Sequence, residues 1–380
     1  MKKARRGTTA TVSLPSTMRA VVKTKPLPGR QGTEIRDVPV PVPGQAEVLV
    51  KVLATAVCGT DKHIDQWDSS MAGMVTLPRI YGHEFCGEIA AFGPGGRRPH
   101  LTEGQFVSAE MHVTCGACRA CRTGQRHICE RTKILGVHGD GCFAQYVKVP
   151  AFNVVPLERY KKLIPPKVGA FLDALGNAVH TTQVADLSGK SVAVLGYGPI
   201  GAMCAEIARI SGAARIAITE VNAQAVAHAR RWVKSRRLEK QVTVLDLSRT
   251  KDAAGSLAEA TGGGADVVLE LSGAEASINL GLAAARRGAT ISLLGIPRDN
   301  AVTIRDYTND LVFKGLTLHG IIGRRIFETW IKMLDLFRAG LDVEDLVTNE
   351  FTGLEDFHEA MKLLEDRSAM KVVFYPNGKP

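Results

Sequence analysis

The sequence has no apolar run long enough to cross a membrane. Its most apolar long window, SVAVLGYGPIGAMCAEIARI, contains three glycines and a glutamate, which indicates a strand, a turn and a helix. The segment before Met18 lacks the apolar centre of a secretory signal. We therefore predict a cytoplasmic protein with no membrane contact. Residues 1–17 are interpreted as a disordered basic extension, and an Arg-rich transit peptide is the alternative.

Aromatic residues are scarce, at 6%, and they do not alternate with the basic residues. The formal net charge is +10, which would suit a polyanion, but four of these charges lie in the first six residues, MKKARR. A nucleic-acid surface usually combines a basic stripe with stacking aromatic side chains. We therefore interpret the charge as a solvated surface plus a basic tail, and we predict no nucleic-acid partner.

The chain also lacks internal repeats and low-complexity tracts beyond its N-terminus. With 380 residues, 45% of them apolar, it can bury a sizeable core without disulfide bonds. Two domains are more plausible than one at this length. Eight cysteines in an intracellular protein then indicate metal ligands or reactive thiols.

The pattern of apolar residues divides the chain into two types of structure. From about Met18 to Val149, short β-like runs are interrupted by Gly and Pro, which predicts a barrel or sandwich-like unit. From about Leu187, strand-like runs alternate with helical periodicity, which predicts an α/β doubly wound parallel sheet. Two amphipathic helices and a last strand, KVVFY, are predicted after Ile322.

A glycine-rich turn follows the first strand of the alternating part. GYGPIG places Gly196, Gly198 and Gly201 at the G-x-G-x-x-G spacing, between an apolar strand and a helix. The glycines permit a tight turn and close approach of a pyrophosphate to the helix N-terminus. Glu220 ends the next strand, where a carboxylate can bind ribose hydroxyls and repel a 2′-phosphate. We therefore predict NAD as the cofactor rather than NADP.

Four cysteines form a dense group with the spacing C-x2-C-x2-C-x7-C. Four thiolates can close a tetrahedral shell around Zn²⁺, which leaves no position for a substrate and predicts a structural site. An iron–sulfur cluster is the competing interpretation, although the spacing differs from ferredoxin-type runs. His127 lies inside the loop and is expected to be a surface residue rather than a fifth ligand. The predicted ligands are Cys115, Cys118, Cys121 and Cys129.

Cys58 stands apart from this group, and His83 and Glu84 follow it in YGHEF. A thiolate, an imidazole and a carboxylate make an open zinc site, with one position left for water or substrate. Such a zinc lowers the pKa of a bound hydroxyl, so that hydride can pass to a bound NAD. Each residue also has an ordinary explanation, as a buried thiol, a hydrogen-bonded histidine and a surface acid.

In the order CGTDKH, GHE, the four-cysteine lobe and GYGPIG, the chain resembles the zinc-containing medium-chain dehydrogenases from about Met18 to its C-terminus. The resemblance implies a GroES-like catalytic domain at 18–178 and 323–380, a Rossmann NAD-binding domain at 179–322, two zinc ions per chain and a homotetramer. It implies that Cys58, His83 and Glu84 bind the catalytic zinc.

The resemblance also implies roles for further residues. Thr60 and His63 match a relay that carries the alcohol proton to solvent, and Asp173 matches an acid that assists at the metal or in proton transfer. His112 matches a histidine near the substrate. The positions that match NAD contacts, in addition to Gly196, Gly198, Gly201 and Glu220, are Ile200, Leu294, Gly295, Ile296, Ile321 and Ile322.

Further motifs, among them GIIGRRIFETWIKM, sharpen this resemblance, which implies a small hydroxy substrate, L-threonine, oxidised at its 3-hydroxyl to 2-amino-3-oxobutanoate. A polyol or a 2,3-diol is the alternative substrate. A metal-bound nucleotide sensor without catalysis is a second class of hypothesis, and the complete open zinc site argues against it. The chain departs from the family pattern near the pocket, where Ala174 replaces a proline and Ala225 replaces an arginine.

Overall fold

The computed structural model describes residues 14–298 and 300–380. Most of the predicted basic extension, residues 1–13, therefore lies outside the described residues. The strands are β1 Thr17–Lys23, β2 Thr33–Pro39, β3 Glu47–Ala56, β4 Arg79–Ile80, β5 Glu84–Phe92, β6 Phe106–Ala109, β7 His112–Val113, β8 Lys133–Ile134, β9 Tyr146–Pro150, β10 Val154–Pro156, β11 Ser191–Leu195, β12 Arg215–Glu220, β13 Val242–Asp246, β14 Ala265–Glu270, β15 Ala285–Leu293, β16 Thr317–Gly320, β17 Val347–Thr352 and β18 Lys371–Tyr375.

The α-helices are α1 Gly59–Gln66, α2 Ser69–Ala72, α3 Arg119–Arg122, α4 Pro166–Gly169, α5 Leu172–Thr182, α6 Pro199–Ile210, α7 Ala223–Ser235, α8 Ala253–Ala260, α9 Glu275–Ala284, α10 Glu328–Arg338 and α11 Phe357–Glu365. Within the described residues, no helix is long and apolar enough to span a membrane.

The second half of the chain forms a six-stranded parallel sheet in the order β13-β12-β11-β14-β15-β16. All five residues of β11 are buried, as expected for a parallel strand that is covered on both faces. Helices connect the successive strands, so the predicted doubly wound sheet is confirmed.

The first half of the chain and its C-terminus share a seven-stranded sheet, with the path β10-β6-β5-β3-β18-β17 and β9 paired to β3. The last strand, β18, is antiparallel to β3 and completes this sheet from the other end of the chain. The predicted β-rich catalytic unit is confirmed. The exact domain limits stay a prediction, although every strand of the parallel sheet comes from between Ser191 and Gly320.

Helix α5 packs between the two sheets. Its buried side chains include Leu175 and Val179, which belong to one core cluster with Met203 of α6 and Met333 of α10. The polar face of α5 is therefore held at a fixed place relative to both sheets. Asp173 lies in the first turn of this helix.

Candidate active site and metal centres

Three strand ends meet at the open cluster that contains Cys58. In the register of the sheet, Ala56 at the end of β3 is opposite Glu84 at the start of β5 and opposite Val373 in β18. Cys58 follows β3 by two residues, and His83 directly precedes β5. As a result, the ligand atoms of Cys58, His83 and Glu84 lie within 4.8 Å of one another.

The donor set fits a Zn²⁺ ion. One thiolate, one imidazole and one carboxylate are three of the four ligands that tetrahedral zinc uses in catalytic sites. Glu84 is fully buried, and its Oε1 atom has no hydrogen-bond partner. A buried carboxylate oxygen without a partner is costly unless a cation or a donor approaches it. These three residues therefore could hold zinc with one position left for a substrate oxygen.

Asp61 supports two of these ligands and was missed by the sequence reasoning. It is fully buried; its Oδ2 accepts the Cys58 backbone N–H at 2.9 Å, and its Oδ1 lies 3.4 Å from His83 Nδ1. Burial acts to lower the pKa of His83, but the charges of Asp61 and Cys58 raise it well above its ordinary value. The position of Asp61 three residues after Cys58, at a helix start, was the available signal.

Lys371 is the second supporting residue that the sequence did not reveal. Its ammonium group is buried and donates to the carbonyl of Val57 at 3.0 Å and to Glu84 Oε2. Lys371 and Glu84 are separated by 287 positions in the chain, so no local pattern could have linked them. The lysine fixes one oxygen of Glu84, while the other oxygen stays available to a metal.

The predicted relay residues lie on α1, which begins directly after Cys58. Thr60 Oγ1 is 3.9 Å from Cys58 Sγ. His63 follows Thr60 by three residues, and this spacing places both on one side of a helix. The His63 side chain is 52% exposed and contacts Asp68. The His63 ring is therefore open to solvent, whereas the ligand residues His83 and Glu84 are buried.

Asp173 is not one of the three residues that could ligate the metal. It forms a fully buried ion pair with Arg324, whose guanidinium also binds both oxygens of Glu110 at 2.7 Å. Glu110 also accepts the Trp330 indole N–H at 2.8 Å. Burial acts to raise the pKa of Glu110, but Arg324 lowers it to about 2.

His112 joins the same network through its Nδ1 atom, which is 2.7 Å from Glu110 Oε1. The sequence predicted His112 and Asp173 but missed Glu110 and Arg324, although Arg324 lies within the motif GIIGRRIFETWIKM. Gly176 makes the network possible, because a Cβ at this position would lie 2.5 Å from Arg324 Cδ.

The glycine-rich turn has the predicted geometry. Gly196 follows β11 with φ at +95°, a conformation that favours glycine. A Cβ on Gly201 would lie 2.1 Å from the Gly196 carbonyl oxygen, so helix and turn pack closely only with glycine here. Helix α6 starts at Pro199 and directs its free N–H groups towards the turn.

Glu220 is the last residue of β12, and neighbouring backbone groups hold its carboxylate. Oε2 accepts the Tyr197 N–H at 2.8 Å, and Oε1 accepts those of Val221 at 2.7 Å and Asn222 at 2.8 Å. These hydrogen bonds fix the negatively charged Glu220 carboxylate beside the glycine-rich turn.

One cleft of about 950 Å³ joins the glycine turn to the open cluster. Residues of the open metal cluster and of the glycine turn both line this cleft, and Ala225 lines it as well. The predicted residues that line it are Cys58, Glu84, Gly196, Gly198, Ile200 and Glu220.

Five other predicted cofactor positions follow β15 and β16, adjacent strands of the parallel sheet. The backbone N–H groups of Leu294 and Gly295 bond to the Glu270 carbonyl, and that of Ile321 bonds to Leu293. Ile296 is 82% exposed and Ile322 is 59% exposed. None of these five described residues lines the 950 Å³ cavity, so their contact with a cofactor stays a prediction.

The four-cysteine lobe forms a second, separate cluster. The Sγ atoms are spaced at 3.5 Å (Cys129–Cys115), 3.8 Å (Cys118–Cys129) and 4.0 Å (Cys115–Cys121). A tetrahedral shell with Zn–S bonds of about 2.3 Å requires a sulfur spacing of about 3.8 Å. All four thiols are free of disulfides. Backbone N–H groups of Ala117 and Cys118 lower the pKa of Cys115 to about 6, which favours the thiolate.

His127 differs from the expectation of a surface residue. It is half-buried, and its ring lies edge-on to His180 of α5, with ring centroids 5.3 Å apart. The lobe thus touches the helix that carries Asp173. The reason is that α5 and the lobe are brought together by tertiary packing, which the local spacing of cysteines does not reveal.

Two family models match the chain: the alcohol dehydrogenase GroES-like domain at residues 44–159 and the zinc-binding dehydrogenase at residues 199–339. An L-threonine 3-dehydrogenase of Pyrococcus horikoshii is 39% identical over 94% of this chain and 98% of its own length. One of Caldanaerobacter subterraneus is 41% identical over 91% of this chain and 96% of its own length.

Solved structures share the fold over nearly the whole chain. The 2R,3R-butanediol dehydrogenase of Bacillus subtilis is 25% identical, covers 95% of this chain and 100% of its own, and has a TM-score of 0.80. A zinc-binding dehydrogenase of Sinorhizobium meliloti 1021, with NADP bound, is 27% identical with the same coverage and a TM-score of 0.80.

Proposed function

The chain belongs to the zinc-binding dehydrogenases with a GroES-like alcohol dehydrogenase domain, and we propose that it oxidises the 3-hydroxyl of L-threonine to 2-amino-3-oxobutanoate with NAD. The observation that carries this proposal is the shared cleft. One cavity is lined by two members of the open metal cluster, Cys58 and Glu84, and by the glycine turn at Gly196. A hydroxyl and a dinucleotide can thus meet in one place.

Cys58, His83 and Glu84 would hold the catalytic zinc, and the four-cysteine lobe would hold a structural zinc. When bound, the catalytic zinc supplies a Lewis acid that lowers the pKa of the substrate hydroxyl, and NAD supplies the hydride acceptor. Asp61 accepts a hydrogen bond from the backbone N–H of Cys58, and Lys371 donates one to the carboxylate of Glu84. Asp61 and Lys371 would therefore orient these two ligands.

The chain's own residues would remove the hydroxyl proton. NAD, when bound, would supply the acceptor for the C3 hydride, and Thr60 would accept the hydroxyl proton. Thr60 in turn gives its proton to His63, which releases one to water. The exposed position of His63 and the proximity of Thr60 to Cys58 support this direction. Asp173, in its ion pair with Arg324, would act by ordering the pocket.

Glu220 supports NAD over NADP. Its carboxylate is fixed next to the glycine turn and would accept hydrogen bonds from ribose hydroxyls. The same negative charge would repel a 2′-phosphate. An NADP-bound structure has a similar fold, so the choice rests on this residue rather than on the fold.

The alternative substrate is a polyol or a 2,3-diol. The similarity to a butanediol dehydrogenase favours it, because that protein shares the fold over nearly the whole chain. Threonine is preferred, because the curated relatives named for it are 39% and 41% identical, compared with 25% for the diol enzyme.

We further propose a homotetramer in the cytoplasm. Support for the compartment comes from the cysteines, which are all unpaired and include two metal-type clusters, a usage typical of a reducing environment. The tetramer rests on the family resemblance.

The test follows NADH formation by the zinc-loaded protein with L-threonine, sorbitol, 2,3-butanediol and inositol at equal concentration. We expect the highest kcat/KM with L-threonine. Turnover of a diol without turnover of threonine would contradict the substrate assignment. No turnover of any alcohol would favour a nucleotide sensor.

A further inference from the structure

The C-terminal end of α1 reverses direction beside His63. Trp67 adopts a left-handed conformation, with φ at 53° and ψ at 43°, and caps the helix. The Trp67 N–H bonds to the Ile64 carbonyl at 3.1 Å, and the next N–H, of Asp68, bonds to the His63 carbonyl at 3.3 Å. This turn brings Asp68 back to the helix, next to the His63 ring.

The Asp68 carboxylate uses its two oxygens for different partners. Oδ2 contacts Nδ1 of His63. Oδ1 accepts the backbone N–H of Ser70 at 3.0 Å and also the Ser70 hydroxyl, so Asp68 caps the start of α2. The cap fixes the carboxylate independently of the histidine, and one oxygen is left to orient the ring.

The charge of Asp68 suits this role. Partial burial acts to raise the pKa of Asp68, but hydrogen bonds from Ser70 and His63 lower it below its ordinary value. The Asp68 carboxylate is therefore ionised across the neutral range. An ionised carboxylate can only accept hydrogen bonds, so it accepts one from the Nδ1–H group of His63. A histidine that donates from Nδ1 has Nε2 free to accept a proton.

We propose that Asp68 is a positioning residue for His63: it fixes the ring and the tautomer with which His63 accepts the proton from Thr60. The inference rests on the proposed function, in which His63 passes the substrate proton to water. His63 becomes an imidazolium when it accepts a proton at Nε2, and Asp68 stabilises that charge. The imidazolium then releases one proton to solvent, so the relay returns to its starting state.

A purely structural role for Asp68, as the cap of α2, is the competing explanation. Asparagine caps helices about as well as aspartate does, so Asp68→Asn keeps the cap and removes the charge. His63→Ala removes the ring on which Asp68 would act. The matched control is Asp306→Asn, because Asp306 also accepts a backbone N–H, from Asn309 at 2.9 Å, and no histidine contacts it among the described residues.

The experiment is a double-mutant cycle of His63→Ala and Asp68→Asn in the zinc- and NAD-loaded protein. Stopped flow gives the rate of first-turnover NADH formation with L-threonine, and steady-state assays give KM for both reactants. We expect Asp68→Asn to lower the rate about tenfold, in the range of orienting groups around catalytic residues, with both KM values unchanged within about twofold. In the His63→Ala background it should cause no further loss, and Asp306→Asn should match the parent.

An equal loss of rate from Asp68→Asn in the parent and in the His63→Ala background would overturn the inference, because damage to the helix cap would lower the rate whether or not His63 is present. An unchanged rate in the parent background would also overturn it. If His63→Ala keeps the full rate, or if the parent forms no NADH from any alcohol, the relay or the proposed function itself fails, and the inference fails with it. These outcomes are distinguishable because the parent and the two single variants are measured separately.

Discussion

The two candidate metal clusters of this chain differ in their ligands and in how they are assembled. The lobe brings together four thiols from one short segment, Cys115 to Cys129, which would close the shell of a bound zinc. The open cluster takes a thiolate, an imidazole and a carboxylate from two strand ends and opens into the cleft. In this chain, the ligands of the closed site are neighbours in the sequence, whereas the ligands of the open site come together only when β3 and β5 pair in the sheet.

The largest expected effect comes from removing a ligand of the open cluster. Cys58→Ser should lower kcat/KM by about a thousandfold or more, because the Lewis acid is lost with its ligand. The melting temperature should fall by only a few degrees, because Lys371 still donates to Glu84 when the metal is absent. The measurement is kcat/KM together with a thermal unfolding scan.

Cys204→Ser is the matched control, because Cys204 is a buried thiol in α6, outside both clusters. It should keep kcat/KM near the parent value. A Cys58→Ser protein with parent-like turnover would contradict the assignment of the open site.

The lobe should show the opposite result. Cys118→Ser should release the structural zinc and lower the melting temperature by about 10 °C, because metal binding contributes directly to folding of such a loop. The kcat of the remaining folded protein should stay within about threefold of the parent, because the closed shell contacts no substrate. Loss of turnover at a parent-like melting temperature would contradict a structural role.

The buried charges near the open cluster should show a smaller effect, on acid stability. The pKa of Glu110 is lowered to about 2 in the folded chain, whereas an exposed glutamate has a pKa of about 4.3. Because the folded pKa is the lower one, the ion pair with Arg324 stabilises the fold above about pH 4.3. This stabilisation, about 3 kcal/mol, is lost as pH falls towards 2.

Glu110→Gln should therefore flatten the dependence of unfolding free energy on pH between about 4.3 and 2. Denaturant unfolding at a series of pH values measures the slope. Glu88→Gln is the control, because Glu88 is a half-buried glutamate of β5 that forms no salt bridge among the described residues. An unchanged slope in Glu110→Gln would contradict the depressed pKa.

The smallest expected effect concerns the cofactor side of the cleft. Glu220→Gln removes the charge and replaces one of the two acceptor oxygens with an NH2 group, so KM for NAD should rise about tenfold and the preference over NADP should decrease. Steady-state kinetics with both cofactors measure the change. An unchanged KM ratio would mean that Glu220 serves only to hold the turn.

The sequence predicted those parts of the molecule whose signals are local. The glycine turn depends on Gly196 and Gly201 a few residues apart, and the lobe on four cysteines in one segment. Arg324 and Lys371 were missed, because their partners lie far away in the chain: Glu110 and Asp173 for Arg324, and Glu84 for Lys371. Asp61 was missed although it follows Cys58 by only three residues, at the start of a helix. Cys58 and His83 come close because β3 pairs with β5, whereas His63, on the helix directly after Cys58, contacts Asp68.

Metal content per chain tests this division between ligands and relay most directly. Each purified protein would be loaded with zinc, dialysed and measured by atomic emission spectroscopy. We expect about two zinc ions per chain in the parent and in His63→Ala, and about one in Cys58→Ser. A His63→Ala protein that retains only the lobe zinc would contradict the account, because His63 would then be a ligand.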